Sequence, residues 1–402
     1  MATNPTKAQA QAGLDVAGQF VAAQSAAPPP PPPPPVSYPA WVENAQYAAG
    51  AIVKFTDGKL YRAKVANPGY SPVVSTYYWE PYAAVNPPAP PPTPPPAGTL
   101  DPAAIAIGSH DNMFLQVGNP ADAYYVEDNR WGLGAITEGA AANQYEQAVG
   151  VSPAVGAGGE VAYRMKWRWP AGPNEVKAYP AIISGQRPGY AWGQPVMQTN
   201  GAMTARSGVT PGTFFPLQLP VKSLKTKFAV KNVTAPTGMG HLSYDIWLQS
   251  TPAQDSPKAN SSITHEIMIP LQNWGNYGGA NNLPNGRNSG WYDHDVTLGG
   301  RLYHVYATKG GDGAFLYNFA PGSLNGRYGR TGWKMIAFVP DVFPVPAGEL
   351  DLAAFINHVA TRTDAKGNPW ALGNEYVSSV ELGVEPVQGT GDIAVYDYRV
   401  FR

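Results

Sequence analysis

The chain contains no cysteine, which excludes a disulfide framework, a thiol nucleophile and any metal site built on thiolates. Charge is sparse as well: only 14% of residues are charged, and 27 basic side chains balance 28 acidic ones. Without an excess of either sign, nothing in the charge pattern recruits nucleic acid or an anionic membrane surface. No run approaches the ~20 apolar residues of a membrane span. Within residues 1–27, Asp15, Gly18 and Gln19 interrupt Leu14, Val16, Phe20 and Val21, so no classical signal peptide is read there. The six histidines are scattered, with no close pair at metal-ligand spacing, and neither a metal nor another cofactor is expected.

What the chain has in abundance is glycine (44), proline (43), tyrosine (23) and tryptophan (11). That mixture suits an all-β protein with many turns and aromatic surfaces for stacking on sugar rings. Proline also divides the chain. Pro28 to Pro35 are consecutive, and a second tract runs from Pro87 to Pro96, broken only by Ala89 and Thr93. Such tracts act as semi-rigid polyproline II rods. They imply four parts: 1–36, a disordered or weakly helical N-terminus with its polyproline linker; 37–83, a very small β module; 84–100, a second linker; and 101–402, one large β domain. The large part reads as short strands such as Glu160–Trp169, Leu242–Leu248 and Ile393–Phe401, separated by Gly, Pro, Asn and Asp clusters. One exception has helical spacing: Leu352, Phe355, Ile356 and Val359, following Asp351.

Two strand-like runs carry the candidate chemistry. In Ser379–Pro386, strand alternation puts Val380, Leu382 and Val384 on one side and Ser379, Glu381, Gly383 and Glu385 on the other. In Ser262–Ile269, Ile267 and Ile269 point one way while Glu266 and Met268 point the other. Each run offers a carboxylate on the face away from the core. Two facing carboxylates are what glycosidic-bond cleavage needs: one to attack or to activate water, one to protonate the leaving oxygen.

Around these runs the chain resembles glycoside hydrolase family 12, the jelly-roll endoglucanases and xyloglucanases. Five blocks carry the resemblance in that family's order: Tyr124–Gly132; Trp167-Arg168-Trp169 with Glu175–Pro180; Tyr244–Leu248; Glu266–Ile269; and Gly383–Gly389. It implies a two-sheet antiparallel jelly-roll sandwich with one helix, with enlarged loops at 186–225 and 272–330. It also implies a retaining endo-β-1,4-glucanase acting on cellulose-like chains, xyloglucan or mixed-linkage glucan. Glu266 would be the nucleophile, Glu385 the acid/base, and Asp245 the neighbour that orients Glu266. Retention then needs the two carboxyls ~5–5.5 Å apart. Asn129 and Trp131 match the family's sugar-binding pair, and Met268 its cleft methionine. Pro270 stands where the family has an aromatic platform, and Trp274 or Trp291 is expected to replace it. Trp167 and Trp169 are expected in the sandwich core, and His265 on the face opposite Glu266.

Residues 37–83 resemble carbohydrate-binding module families 5 and 12 through Trp41, Tyr47, Gly50, Val53, Gly58-Lys59-Leu60-Tyr61, Ala63 and Trp79. The resemblance implies binding of chitin or cellulose. It fails where Lys64 is followed by Val65-Ala66 in place of an aromatic pair, unless Tyr77 or Tyr78 substitutes. The expected partner is β-glucan polysaccharide, met as a monomer outside the cell or on a virion. Two rival readings share the fold: a non-catalytic glycan-binding protein, and a virion or surface-attachment protein.

Overall fold

The computed structural model describes residues 38–73, 75–82, 101–110, 113–118, 124–130, 145–171, 176–186, 195–197, 202–205, 214–252, 262–275, 291–307 and 333–402. Both proline tracts, and much of the two segments expected as enlarged loops, lie outside these residues. The chain divides into two compact units, Met1–Ala84 and Val85–Arg402.

In the first unit, β1 (Ile52–Lys54), β2 (Leu60–Ala63) and β3 (Trp79–Tyr82) form an antiparallel sheet in that order. A three-stranded sheet of this size has little to bury, and aromatic rings supply most of it. Val53, Tyr61, Ala63 and Trp79 are buried, with Trp41, Tyr47, Phe55 and Tyr78 packed against them. The Trp79 indole N–H donates to Tyr70 O at 2.7 Å, so the largest ring is also polar-satisfied.

The second unit contains β4 (Phe114–Val117), β5 (Tyr124–Glu127), β6 (Glu146–Val151), β7 (Val161–Trp169), β8 (Ala181–Gly185), β9 (Pro195–Met197), β10 (Met203–Ala205), β11 (Leu217–Gln218) and β12 (Lys225–Thr234). These are followed by β13 (Met239–Gln249), β14 (Ile263–Trp274), β15 (Tyr292–Leu298), β16 (Arg301–Tyr306), β17 (Lys334–Pro340), β18 (Ala347–Asp351), α1 (Leu352–Ala360) and β19 (Tyr376–Phe401). Two sheets form. One runs β10-β9-β4-β5-β8-β19-β13-β14-β17-β16-β15, and the other gathers β6, β7, β12 and β18 around the second half of β19. Strand β19 therefore belongs to both, pairing with β8 and β13 up to Gln388 and with β7 from Gly389 onward. Pairing is antiparallel except for β4–β9 and β14–β17, which are parallel.

The alternation read from the sequence explains how the layers close. Val380, Leu382 and Val384 of β19 meet Tyr244, Ile246 and Leu248 of β13, Ile267 and Ile269 of β14, and Trp167 and Tyr163 of β7 in one buried core. Trp167 and Trp169 lie in that core, as expected. Helix α1 starts at Asp351, whose carboxylate accepts from Ala354 N–H at 3.4 Å. Its apolar stripe of Leu352, Phe355, Ile356 and Val359 is buried. Phe355 sits edge-on to Tyr303 (4.9 Å) and Phe338 (5.2 Å). The opposite face of the β8-β19-β13-β14 sheet is thereby left for chemistry.

Candidate active site

Pairing across β14, β13 and β19 sets the face out in rows. Glu266 stands opposite Trp247 and Ser379; Met268 opposite Asp245 and Glu381; Pro270 opposite Ser243 and Gly383; Asn273 opposite His241 and Glu385. Glu266 and Glu385 thus hold the first and last of four rows, and Asp245, Met268 and Glu381 lie between them. Six residues of flat strand span ~20 Å. The register, however, shifts between Trp247 and Leu248, between Leu242 and Ser243, and between Met239 and Gly240. Such bulges bend strands and deepen twist. On a face bent enough to turn its end rows toward each other, those rows are the walls of a trough and the middle rows its floor.

The floor is closely built. Asp245 is 2% exposed and Glu381 0%, so two carboxyl groups face each other across β13 and β19 away from solvent. Burial of that kind is tolerated where hydrogen bonds replace water. Ser379 supplies one, its hydroxyl donating to Glu381 Oε1 at 2.9 Å. Gly383 is required by close approach: a Cβ there would lie 2.6 Å from Ala181 Cβ, 2.6 Å from Pro180 O and 2.8 Å from the Tyr179 ring.

Each wall has a partner that the sequence reading missed. The Trp333 indole N–H donates to Glu266 Oε2 at 2.6 Å, and the Trp333 ring stands edge-on to Trp247 at 5.0 Å. Trp333 reaches Glu266 because β17 runs parallel to β14, with Met335 opposite Glu266. On the other wall, His241 Nε2 lies 2.6 Å from Glu385 Oε2; the His241 side chain is fully buried, and that of Glu385 is 14% exposed. The alternation of β13 carried the signal for His241, two residues before Ser243 and four before Asp245, whereas nothing local marked Trp333.

The structure brings Glu266, Asp245 and Met268 together and sets Glu385 at the far end of the same face. Asn129 follows β5, whose Glu127 pairs with Ala181, itself paired with Gly383. Asn129 O accepts from Tyr179 N–H at 3.2 Å and from Gln147 Nε2 at 2.9 Å, which holds it at the Glu385 end. Trp131 lies outside the described residues. Trp274 corrects an expectation: its half-buried ring stacks on Trp167 at 5.6 Å and packs against the core between the sheets, away from the cluster that holds Met268. The bulge between Leu242 and Ser243 changes the facing of the last β14 residues, and Gly240, lacking a side chain, leaves room for the ring. Trp291, the other candidate, packs against the cluster of Met268, Tyr306, Met335 and Ala337. His265 turns to the interior, where its Nε2 lies 2.8 Å from Trp370 O and burial lowers its pKa to about 4. Among the described residues no group of His, Asp or Glu is arranged to hold a metal ion.

The sequence matches no family model. It is similar to Endoglucanase S of Pectobacterium parmentieri, 26% identical over 295 residues that cover 73% of this chain and 87% of that protein. Among solved structures it is similar to the native family 12 xyloglucanase from Bacillus licheniformis, with 24% identity, 74% of this chain and 99% of that one covered, and a TM-score of 0.49. It is also similar to endoglucanase cel12A from Rhodothermus marinus, with 20% identity, 74% and 95% covered, and a TM-score of 0.43.

Proposed function

We propose that this chain is a glycoside hydrolase of the family 12 type, a retaining endo-β-1,4-glucanase acting on cellulose-like, xyloglucan or mixed-linkage chains. The observation that carries the proposal is one sheet face with Glu266 on one end row, Glu385 on the other, and a buried floor of Asp245, Met268 and Glu381 between them. The 26% identity to an endoglucanase over 73% of the chain supports the substrate class. In the first half of the reaction a Glu266 oxygen attacks the anomeric carbon while Glu385 gives its proton to the departing glycosidic oxygen. In the second half Glu385 takes a proton from water, which displaces Glu266 from the sugar. The Trp333 N–H on Glu266 Oε2 fixes the carboxylate in one rotamer and stabilises its charge before attack. Asp245, one row away, orients the nucleophile. Asn129 and Met268 contact the glycone sugar, and Trp291 is the aromatic platform in place of Pro270.

Retention needs the bent face to close the Glu266–Glu385 gap to ~5–5.5 Å; a water-sized gap of ~6.5–9.5 Å gives inversion. Proton NMR of the first-formed anomer from a soluble β-glucan decides between them, with the β-anomer expected first. Appearance of the α-anomer first replaces retention by inversion. Binding of glucan with no release of reducing ends from any glucan of a broad panel replaces hydrolysis by the glycan-binding reading.

The small unit is proposed to hold the chain on insoluble polysaccharide, cellulose or chitin, outside the cell or on a virion, where polymeric substrate is found. Tyr70 stacks on Tyr78 at 5.2 Å and 21°, and Tyr77 stands edge-on to Tyr78 at 4.9 Å. Tyr70 and Tyr77 are 55% and 69% exposed, the kind of surface on which sugar rings stack. These rings stand in for the pair missing at Val65-Ala66. Pull-down of the full chain on cellulose and on chitin should weaken severalfold in Tyr70→Ala/Tyr77→Ala; unchanged retention would reassign attachment to another surface.

A further inference from the structure

We propose that His241 is a positioning residue for the acid/base, sharing one proton with Glu385 and so setting the alkaline limit of glucan cleavage. The proposal rests on Glu385 being the acid/base. His241 Nε2 and Glu385 Oε2 are 2.6 Å apart, shorter than an ordinary nitrogen–oxygen bond, and shortening is what charge assistance produces. Two atoms at that distance hold one proton between them. Either the imidazole N–H donates to the carboxylate, or the carboxyl O–H donates to the imidazole nitrogen. An acid/base must carry its proton in the first half of the reaction and lack it in the second. A partner able to give or take that proton through the same pair of atoms serves both halves. A hydroxyl or amide partner can hydrogen-bond to either form but does not take up or release the proton itself.

The backbone holds the pair in place. His241 and Glu385 are direct cross-strand neighbours. The strands are pressed together beside them, since a Cβ on Gly240 would lie 2.6 Å from Glu385 O and 2.8 Å from the Trp274 ring. His241 is itself 0% exposed, so water does not compete for its nitrogen, and an imidazolium there is stable only while Glu385 is ionised beside it. The other titratable or charged groups facing the pair can be named by element. On β19 and β13, Glu381 and Asp245 lie four residues away on the same face; β14 presents the uncharged Asn273 opposite His241; Glu266 is on the far wall. The segment before β8 contributes Lys177, whose backbone N–H donates to Pro386 O at 2.9 Å and whose side chain is buried, and Tyr179; β5 contributes the buried Glu127, in the row of Ala181 and Gly383. Of these groups, His241 is the one bonded to the Glu385 carboxyl itself.

The test compares His241→Gln, which keeps an N–H but cannot exchange a proton, with His241→Ala and wild type in the full chain. With an unactivated β-glucan, the alkaline limb of the kcat/KM profile in His241→Gln should move about one pH unit downward, because an amide donor favours the ionised carboxylate. KM should change less than twofold, and with an aryl glucoside of good leaving ability the first-turnover release of the aryl group, which needs no proton, should be slowed less than hydrolysis of the unactivated glucan. A wild-type pH profile in His241→Gln overturns the proposal even if Tm falls, because a purely structural role moves stability and not the limb. Should His241→Gln fail to fold, 15N NMR of the wild-type His241 ring decides: its nitrogen shifts must titrate together with the alkaline limb, and flat shifts across that range overturn the proposal. Glu385→Gln separates the premise from the inference. Undiminished cleavage of unactivated glucan by that variant removes the acid/base assignment and the His241 role with it. Loss of cleavage combined with an unmoved limb in His241→Gln removes the His241 role alone.

Discussion

At the scale of the residue, the candidate nucleophile is defined by one neighbour in sequence space and one far from it. Asp245 was set beside Glu266 by the resemblance carried in Tyr244–Leu248, while the pleat of period two fixed only which face each carboxylate occupies. Trp333 was not legible, because it reaches Glu266 through the parallel β14–β17 pairing, a contact between residues 67 apart that no local pattern encodes. Its indole N–H gives the sharpest residue-scale prediction. Trp333→Phe keeps the ring against Trp247 and removes the hydrogen bond to Glu266. A bond to a charged group contributes ~1.5–3 kcal/mol, so kcat on glucan should fall roughly 10- to 100-fold at nearly constant KM. Unchanged kcat would mean that the indole only packs. Glu266→Ala should abolish turnover and regain part of it with added azide or formate, which occupy the vacated space and attack in its place; rescue by neither anion, with hydrolysis intact, would remove Glu266 from the nucleophile role.

At the scale of the element, the sequence carried the helix and missed the bulges. Helix α1 was readable because four apolar side chains recur at helical spacing behind an Asp that caps it. Trp274 went wrong because a single bulge reverses facing along the rest of a strand, and a bulge leaves no mark in the hydrophobic pattern when glycine makes the room for it. Two substitutions test these elements separately. Phe355→Ala removes a ring packed edge-on to Tyr303 and Phe338 and should cost ~3–5 kcal/mol in denaturant unfolding. A loss under ~1 kcal/mol would show that the helix is not anchored through that ring. Gly383→Ala introduces a Cβ 2.6 Å from Pro180 O and Ala181 Cβ. It should push β8 from β19 beneath the trough and lower kcat more than Tm, whereas a variant with wild-type kcat would show that the trough floor tolerates the shift.

At the scale of the whole molecule, acid stability depends on imidazoles that tie separate elements together. His265 of β14 lies against Trp370 O, in the segment between α1 and β19, and burial holds its pKa at about 4. His358 of α1 has its Nε2 2.8 Å from Nε2 of His294 in β15; burial first, then repulsion from His294 and Arg362, holds it at about 4 as well. Unfolded, both would titrate near 6.5. Between pH 6.5 and about 4 the unfolded chain therefore binds more protons than the folded one, so stability rises with pH across that window and is fully present above it. For the nearly solvent-free His265 the swing is on the order of 3 kcal/mol. Denaturant unfolding at pH 7, 5.5 and 4 should show stability falling steadily, with His265→Asn flattening the slope between 6.5 and 4 while lowering stability at pH 7. A slope identical to wild type in that variant would mean that His265 does not take up a proton as the molecule unfolds, and that the acid sensitivity belongs to the carboxylates.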